Sequence, residues 1–226
     1  MESDASTTAI QVPMGDQALQ GDLGMPADPH GLVVFAHGSG SSRHSTRNQF
    51  VARTLQRRDL ATLLIDLLTP QEEAIDDRTA QYRFDIPMLA GRLVTIVDWL
   101  RRRKDTSLLP IGLFGASTGG GAALIAAAER PHEITAVVSR GGRPDLAGPA
   151  LAKVVTPTQL IVGGLDTPVI HMNRDAMKQM RGEVTLEIVP GATHLFEEPG
   201  TLERVAELAG TWFVRYLQPA HSTRAR

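Results

Sequence analysis

Hydrophobic residues along this chain gather in short, nearly continuous runs, separated by polar turns and longer amphipathic stretches. The runs are Leu32–Ala36, Thr62–Leu68, Ile111–Phe114, Ile134–Val138, Gln159–Val162 and Val184–Val189. They are short for helices, and their lack of alternation predicts strands covered on both faces. Between them the period changes. Ile86, Leu89, Leu93, Ile96, Val97 and Leu100 recur at three- and four-residue steps, which puts one apolar stripe on one helix face. Leu202, Val205, Ala209, Trp212, Phe213 and Tyr216 repeat the pattern near the C-terminus, and their aromatics read as core. Residues 1–30 are expected to form an N-terminal β region and 218–226 a frayed tail. Strands alternating with helices predict one α/β domain over 1–226, with a mostly parallel central sheet, helices on both faces and no cap domain. Such sheets bind ligands beyond the carboxyl ends of their strands, so chemistry is to be sought in the turns that follow each run.

Composition narrows the partners. The 226 residues carry 23 Lys+Arg against 25 Asp+Glu, a net charge of −2, which offers no general attraction to nucleic acid or anionic membranes. The absence of cysteine excludes a thiolate nucleophile, a disulfide framework and any Cys-ligated metal. The N-terminus, Met1-Glu2-Ser3-Asp4, is acidic where a signal peptide would be basic. The apolar runs fall far short of the about 20 residues of a membrane span. A cytoplasmic protein acting on a small molecule, without nucleic acid or membrane as partner, is the expectation. The basic run Arg101-Arg102-Arg103-Lys104 sits where a helix should end and complements its macrodipole.

One turn carries a specific pattern. Gly115-Ala116-Ser117-Thr118-Gly119 lies between the run Ile111–Phe114 and the Ala-rich stretch Gly120–Ala128, the strand–turn–helix setting of a G-x-S-x-G nucleophile elbow. Glycines flank the serine because a sharp turn brings neighbouring chain to within collision distance of any β-carbon. A serine hydroxyl needs a base, and that base an orienting acid. Asp166 ends the run Gln159–Leu165, and His194 follows Val184–Val189 and the turn Pro190–Thr193. Serine, acid and histidine thus each fall just past a successive strand, in the order Ser117, Asp166, His194. A helix N-cap role for Asp166 and a surface position for His194 are the plain alternatives. His30 and His132 fall at strand starts, His171 within a helix and His221 in the tail. Asp145, in Arg143-Pro144-Asp145, is the rival acid and reads better as the cap of a short helix.

An oxyanion hole needs two backbone N–H donors. Thr118, after the nucleophile, supplies one. The loop His37-Gly38-Ser39-Gly40-Ser41-Ser42-Arg43-His44 supplies the other, from Ser39 or, failing that, Gly40, which also becomes a candidate substrate contact. His37 reads as a structural support of this loop. Arg43 and Arg47 in this loop, and Arg140 and Arg143 after the fourth run, could hold an anionic substrate group, or could pair with carboxylates such as Asp145. Of these, Arg43, Arg140 and Arg143 are taken as substrate-binding candidates. No metal or organic cofactor is expected.

The passages His37–Gly40, Gly115–Gly119, Val162–Asp166 and Gly191–Phe196 resemble the α/β-hydrolase superfamily, and within it the dienelactone-hydrolase-like branch, from about Leu32 to Leu217. The run Ser139–Asp145 is similar to a bacterial subgroup of hydrolases sometimes fused to a phosphoribosyltransferase domain. The resemblance implies a catalytic triad. Dienelactone hydrolases proper use a cysteine nucleophile, whereas this chain has none, so the implied activity is that of a serine esterase; the loop arginines and the short segment after the fourth run point to a small, polar ester or thioester that can carry an anionic group. Superfamily members often insert a lid after the fourth run, but Arg140–Thr156 is too short for a helical cap. The charged stretch Thr69–Phe84 could instead flank the site as a flap.

Two other readings compete. A hydrolase-fold binding module would keep the pocket without turnover. A dinucleotide-binding protein would use Gly38-x-Gly40 and Asp66, but Arg43 stands where the third glycine of its fingerprint belongs.

Overall fold

A computed structural model of the chain describes residues 5–218; the expected tail therefore lies outside the described residues, apart from Gln218. Eight strands form one sheet in the order β1-β2-β4-β3-β5-β6-β7-β8. The N-terminal β region is a hairpin of β1 (Ser6–Met14) and β2 (Gln17–Met25), antiparallel to each other and to β4. Its two-residue turn begins at Gly15 with φ +63°, the backbone that such a hairpin turn requires. The remaining strands are parallel: β3 (Gly31–Ala36), β4 (Leu60–Ile65), β5 (Ile111–Ala116), β6 (Ile134–Arg140), β7 (Thr158–Gly163) and β8 (Val184–Val189).

All six expected runs become strands, with instructive differences at their ends. The run Thr62–Leu68 begins two residues earlier, at Leu60, and stops at Ile65. Asp66 N–H still reaches the Gln20 carbonyl of β2, but the next amide, Leu67 N–H, donates to a side chain, His37, which takes the chain out of the sheet. The last run, Val184–Val189, is the sheet's edge and is half-buried rather than covered on both faces.

Period-2 alternation divides the core. Leu32, Val34 and Ala36 of β3 face one layer, with helices α3 (Ile86–Leu100) and α4 (Thr118–Glu129). Val33 and Phe35 face the other, with α1 (Thr46–Gln56) and α6 (Thr201–Tyr216). The predicted stripe of α3 is wholly buried, from Ile86 to Leu100. On α6, Val205, Ala209, Trp212 and Phe213 are buried, with Leu202 and Tyr216 packed at the margin. The basic run after α3 is tied down, Arg101 binding Glu133 and the Leu109 carbonyl.

Two segments bear on access to the sheet's carboxyl edge. After β6 the chain makes only a kinked 3₁₀ segment, Pro144–Lys153, and no cap domain. The stretch expected as a flap is instead a capped helix, α2 (Pro70–Thr79), with a capping box between Thr69 and Glu72. Glu72 pairs with Arg92 of α3, and Asp76 with Arg83; these buried and half-buried ion pairs replace a loose flap with a fixed wall. Helix α5 (Thr167–Met177) completes the layers. No helix among the described residues is long and apolar enough to cross a membrane.

Strand order reverses around β3, which has β4 on one side and β5 on the other. The crevice at such a switch point is where doubly wound sheets bind ligands. It is built by close packing of α4 on β3: a β-carbon on Gly119 would lie 2.6 Å from the His37 carbonyl oxygen and closer still to that of Ala36. Alanine normally stabilises a helix relative to glycine by about 0.5–1 kcal/mol. Gly119→Ala should reverse that sign and destabilise by about 1–3 kcal/mol through overpacking. Gly91→Ala, in α3 with nothing near its added carbon, should stabilise. Thermal unfolding of the two variants checks this, with a shift of about 2–4 °C per kcal/mol expected for a chain of this size.

Candidate active site

The turn after β5 holds Ser117 at φ +50° and ψ −120°, a left-handed backbone that costs a non-glycine residue about 1–3 kcal/mol. The surroundings enforce it. Ser117 N–H donates to the Arg140 carbonyl at 3.2 Å, and the Ser117 carbonyl accepts from Gly120 N–H at 3.0 Å and Arg143 N–H at 3.0 Å. The flanking glycines are there for space, since a β-carbon on Gly115 would meet the Gly119 carbonyl oxygen at 2.6 Å. Ser117 stands at the N-cap of α4 without its hydroxyl capping the helix, so the side chain is free for another partner.

That partner is His194. Its Nε2 lies 3.4 Å from Ser117 Oγ, and its Nδ1 lies 2.6 Å from Asp166 Oδ2. The serine contact is long for a hydrogen bond, as such contacts often are before substrate tightens them. Asp166 occupies the N-cap position of α5, yet its side chain makes no cap bond and turns to the imidazole instead. Its loop and the histidine loop are stitched together, Leu165 N–H donating to the Ala192 carbonyl at 2.9 Å and Gly164 N–H to that of Val189 at 2.8 Å. The histidine loop is further held by Glu198, which accepts from both the backbone and the hydroxyl of Thr193. These bonds favour the ionised carboxylate and lower the Glu198 pKa.

His37 uses both ring nitrogens on the backbone. Nδ1–H donates to the Gly38 carbonyl at 2.9 Å, and Nε2 accepts from Leu67 N–H at 3.0 Å. That arrangement requires a neutral imidazole, and burial lowers its pKa from the ordinary 6.5. The expected oxyanion donors are less simple. Thr118 opens α4, where first-turn amides lack a carbonyl within the helix. The Ser39 amide is already engaged, donating to the Thr118 hydroxyl at 2.9 Å.

Three of the substrate-binding candidates are placed elsewhere. Arg43 is committed to carboxylates: its amide donates to Asp66 Oδ1 at 2.7 Å, its guanidinium pairs with Asp66, and Nε lies 3.4 Å from Asp22. Asp66 is thereby also spent as the ribose acid of the dinucleotide reading. Arg143 forks onto Asp145 at 2.8 and 2.7 Å, the carboxylate sitting beside it in the 3₁₀ segment rather than near His194. Gly40, at φ +67°, belongs to a tight turn that faces Arg83 and α2. None of the three lines the cavity of about 250 Å³ that contains Ser117 and His194. That cavity is walled by Gly38, Ser39, Ser41, Ser45, Arg47, Asn48, Arg140 and Leu195. Sequence reasoning overlooked Asn48, whose signal was its place three residues after Ser45, the N-cap serine that starts α1 beside the site.

Sheet order, elbow and the loops at the carboxyl edge define an α/β hydrolase without a lid. The chain belongs to the dienelactone hydrolase family, whose model matches residues 31–217. It is similar to a dienelactone hydrolase from Anabaena variabilis of known crystal structure, with 58% identity and a TM-score of 0.94, covering 95% of this chain and 100% of that one. An α/β serine hydrolase without lid from Xanthomonas campestris shares the fold at a TM-score of 0.72 and 19% identity, covering 95% of this chain and 96% of that one. Proteins of two Mycobacterium tuberculosis strains, CDC 1551 / Oshkosh and H37Rv, are 56% identical over 208 residues, 92% of this chain. Both are provisionally named phosphoribosyl transferases, and the chain spans 46% of their length.

The neutral His37 has a consequence for stability. Its pKa is lower folded than unfolded, so between those two values the unfolded chain holds the extra proton and stability rises with pH. Acidification below 6.5, the ordinary value, should therefore cost stability until the folded pKa is passed. Unfolding measured from about pH 7.5 to about 5.5 should show a steeper loss for the wild type than for His37→Gln, which has no proton to gain there.

Proposed function

We propose that this chain is a serine hydrolase that cleaves small, polar carboxylic esters or thioesters through an acyl-enzyme. The observation that carries the reading is the hydrogen-bonded series Ser117–His194–Asp166 at a strained elbow. A binding module would gain nothing from a nucleophile held in costly backbone geometry against a base and its acid.

In the proposed route Ser117 Oγ attacks the ester carbonyl while His194 Nε2 takes the hydroxyl proton. The new C–O bond forms as the carbonyl π electrons move to oxygen. Asp166 accepts from Nδ1–H, fixes the ring tautomer and supports the imidazolium charge. The oxyanion meets the Thr118 amide and the positive end of α4. The Ser39 amide joins once it exchanges the Thr118 hydroxyl for the oxyanion. Collapse expels the alcohol or thiol, which takes the proton from His194. Water, deprotonated by His194, then attacks the acyl-enzyme; the acyl–Oγ bond breaks as His194 returns the proton to Ser117 Oγ, which releases the acid and restores the free hydroxyl. The route needs neither metal nor organic cofactor. With no cysteine to protect and no lid to build a lipid tunnel, a small-molecule ester in the cytoplasm is the proposed setting, without nucleic acid or membrane. The transferase name of the Mycobacterium relatives belongs to proteins more than twice as long as the match, and the chemistry proposed here concerns this chain alone.

A fluorophosphonate probe should label the wild type at Ser117 and leave Ser117→Ala unlabelled. On short esters Ser117→Ala should lower kcat by about 10⁶-fold, the size seen where a triad acts as a unit. Near wild-type turnover by a purified Ser117→Ala protein would refute the assignment. Asp166→Asn should lower kcat by about 10⁴-fold, because the amide favours the wrong imidazole tautomer.

A further inference from the structure

Arg140 is the last residue of β6 and continues the alternation of Ala136 and Val138, so its side chain lies on the α1–α6 face of the sheet. It is buried, 6% exposed, yet no carboxylate among the described residues pairs with it. Its nearest polar partner is Asn48 Oδ1, 3.5 Å from Nη2, and its Nε is buried with no partner at all. The Phe196 ring, 5.9 Å away, is at the outer limit of a cation–π contact. Buried cations are ordinarily paired, because desolvating a charge without compensation is costly.

The surroundings increase that cost. Arg47 stands at the second position of α1, and its Nε is likewise buried and unpartnered, with only the exposed Glu197 reaching its Nη1 at 3.1 Å. Burial and the Arg47 charge together lower the Arg140 pKa to about 10, which leaves it cationic at neutral pH. The first turn of α1 contains no acidic residue, and although Ser45 caps the Asn48 amide, the positive end of the helix remains at the cavity. No Asp or Glu lines this cavity among the described residues, whereas Ser117 and His194 do. Arg43, Arg83, Arg92 and Arg143 all have carboxylate partners, whereas Arg140, buried beside the nucleophile, has none among the described residues.

We infer that Arg140 and Arg47, with the first turn of α1 and Asn48, form a subsite for an oxyanionic group carried by the substrate, a carboxylate or a phosphate, seated beside Ser117. The inference rests on the serine hydrolase reading for its position relative to the scissile bond, but the subsite itself can be tested without turnover. Guanidinium forks suit both anions, and a helix N-terminus strengthens the hold on either.

The test uses three short esters matched in size, carrying a carboxylate, a phosphate or a neutral amide at the same position. The wild type should favour at least one anionic ester over the amide by about ten- to a hundredfold in kcat/KM, the scale of charge-assisted hydrogen bonds, and the larger ratio identifies the group. Arg140→Gln should reduce that ratio by about tenfold or more. Arg47→Ala, at a half-exposed position less exposed to folding failure, should reduce it in the same direction. A second arm uses Ser117→Ala protein, inactive by design, whose thermal unfolding is followed with inorganic phosphate and with succinate. One of them should raise Tm at constant ionic strength, and the shift should vanish when Arg140→Gln or Arg47→Ala is added. Equal turnover of neutral and anionic esters, or a preference that survives both arginine substitutions, overturns the subsite while leaving the serine hydrolase standing. Failure of all three esters and of fluorophosphonate labelling would sink the hydrolase reading instead. The Tm arm alone would then decide the subsite: an arginine-dependent shift supports it, and no shift refutes it.

Discussion

The structure is organised around a backbone that would rather not be where it is. Ser117 holds a left-handed conformation, and that strain persists only because three hydrogen bonds and two crowded glycines leave the chain no other path. Each restraint comes from a different element. The Arg140 carbonyl comes from β6, the Arg143 amide from the residue that precedes the 3₁₀ segment, and the carbonyls that forbid a side chain at Gly119 from the end of β3. Relaxing the turn would require moving all of them together, and interiors packed this closely do not yield to one local preference.

The same logic brings the other two residues to the serine. A parallel sheet delivers every strand's carboxyl end to one edge, so residues far apart in sequence need only follow successive strands to become neighbours. Asp166 follows β7 and His194 follows β8, and the two loops close on each other through backbone hydrogen bonds. Gly163 permits that closure, since a β-carbon there would lie 2.5 Å from the Thr193 carbonyl oxygen. The side chains then face one another as a consequence of topology.

This explains what could be read from the sequence and what could not. Fold class and the Ser117–Asp166–His194 series were legible because both follow from periodicity: short apolar runs mark the strands, and the candidate residues follow them. The end of β4 was not, because the Leu67 amide leaves the sheet for His37, a tertiary choice with no local signal. The stretch Thr69–Phe84 looked like a loose flap by its charge, although the Thr69–Glu72 capping box was present as a local helix signal. Arginine roles were the least legible. Arg43 and Arg140 look alike as loop-edge residues in sequence, and only the spatial arrival of Asp66 and Asp22 separates a neutralised guanidinium from one without a counter-charge.

That separation bears on how a chain of net charge −2 could attract an anion. Its overall field is weakly repulsive, and at physiological salt it is screened within about 8 Å. What a substrate meets at the cavity mouth is therefore local. Three carboxylates near the edge are neutralised by arginine: Asp66 by Arg43, Asp145 by Arg143 and Asp76 by Arg83. Pairing of this kind removes charge of both signs around the cavity, whose own lining holds the guanidinium of Arg140 and, among the described residues, no carboxylate. In a cavity of low dielectric that charge acts strongly over a few ångströms and hardly at all beyond. Such an arrangement contributes little to the capture of distant anions but discriminates among molecules already at the mouth, and it does so within reach of Ser117.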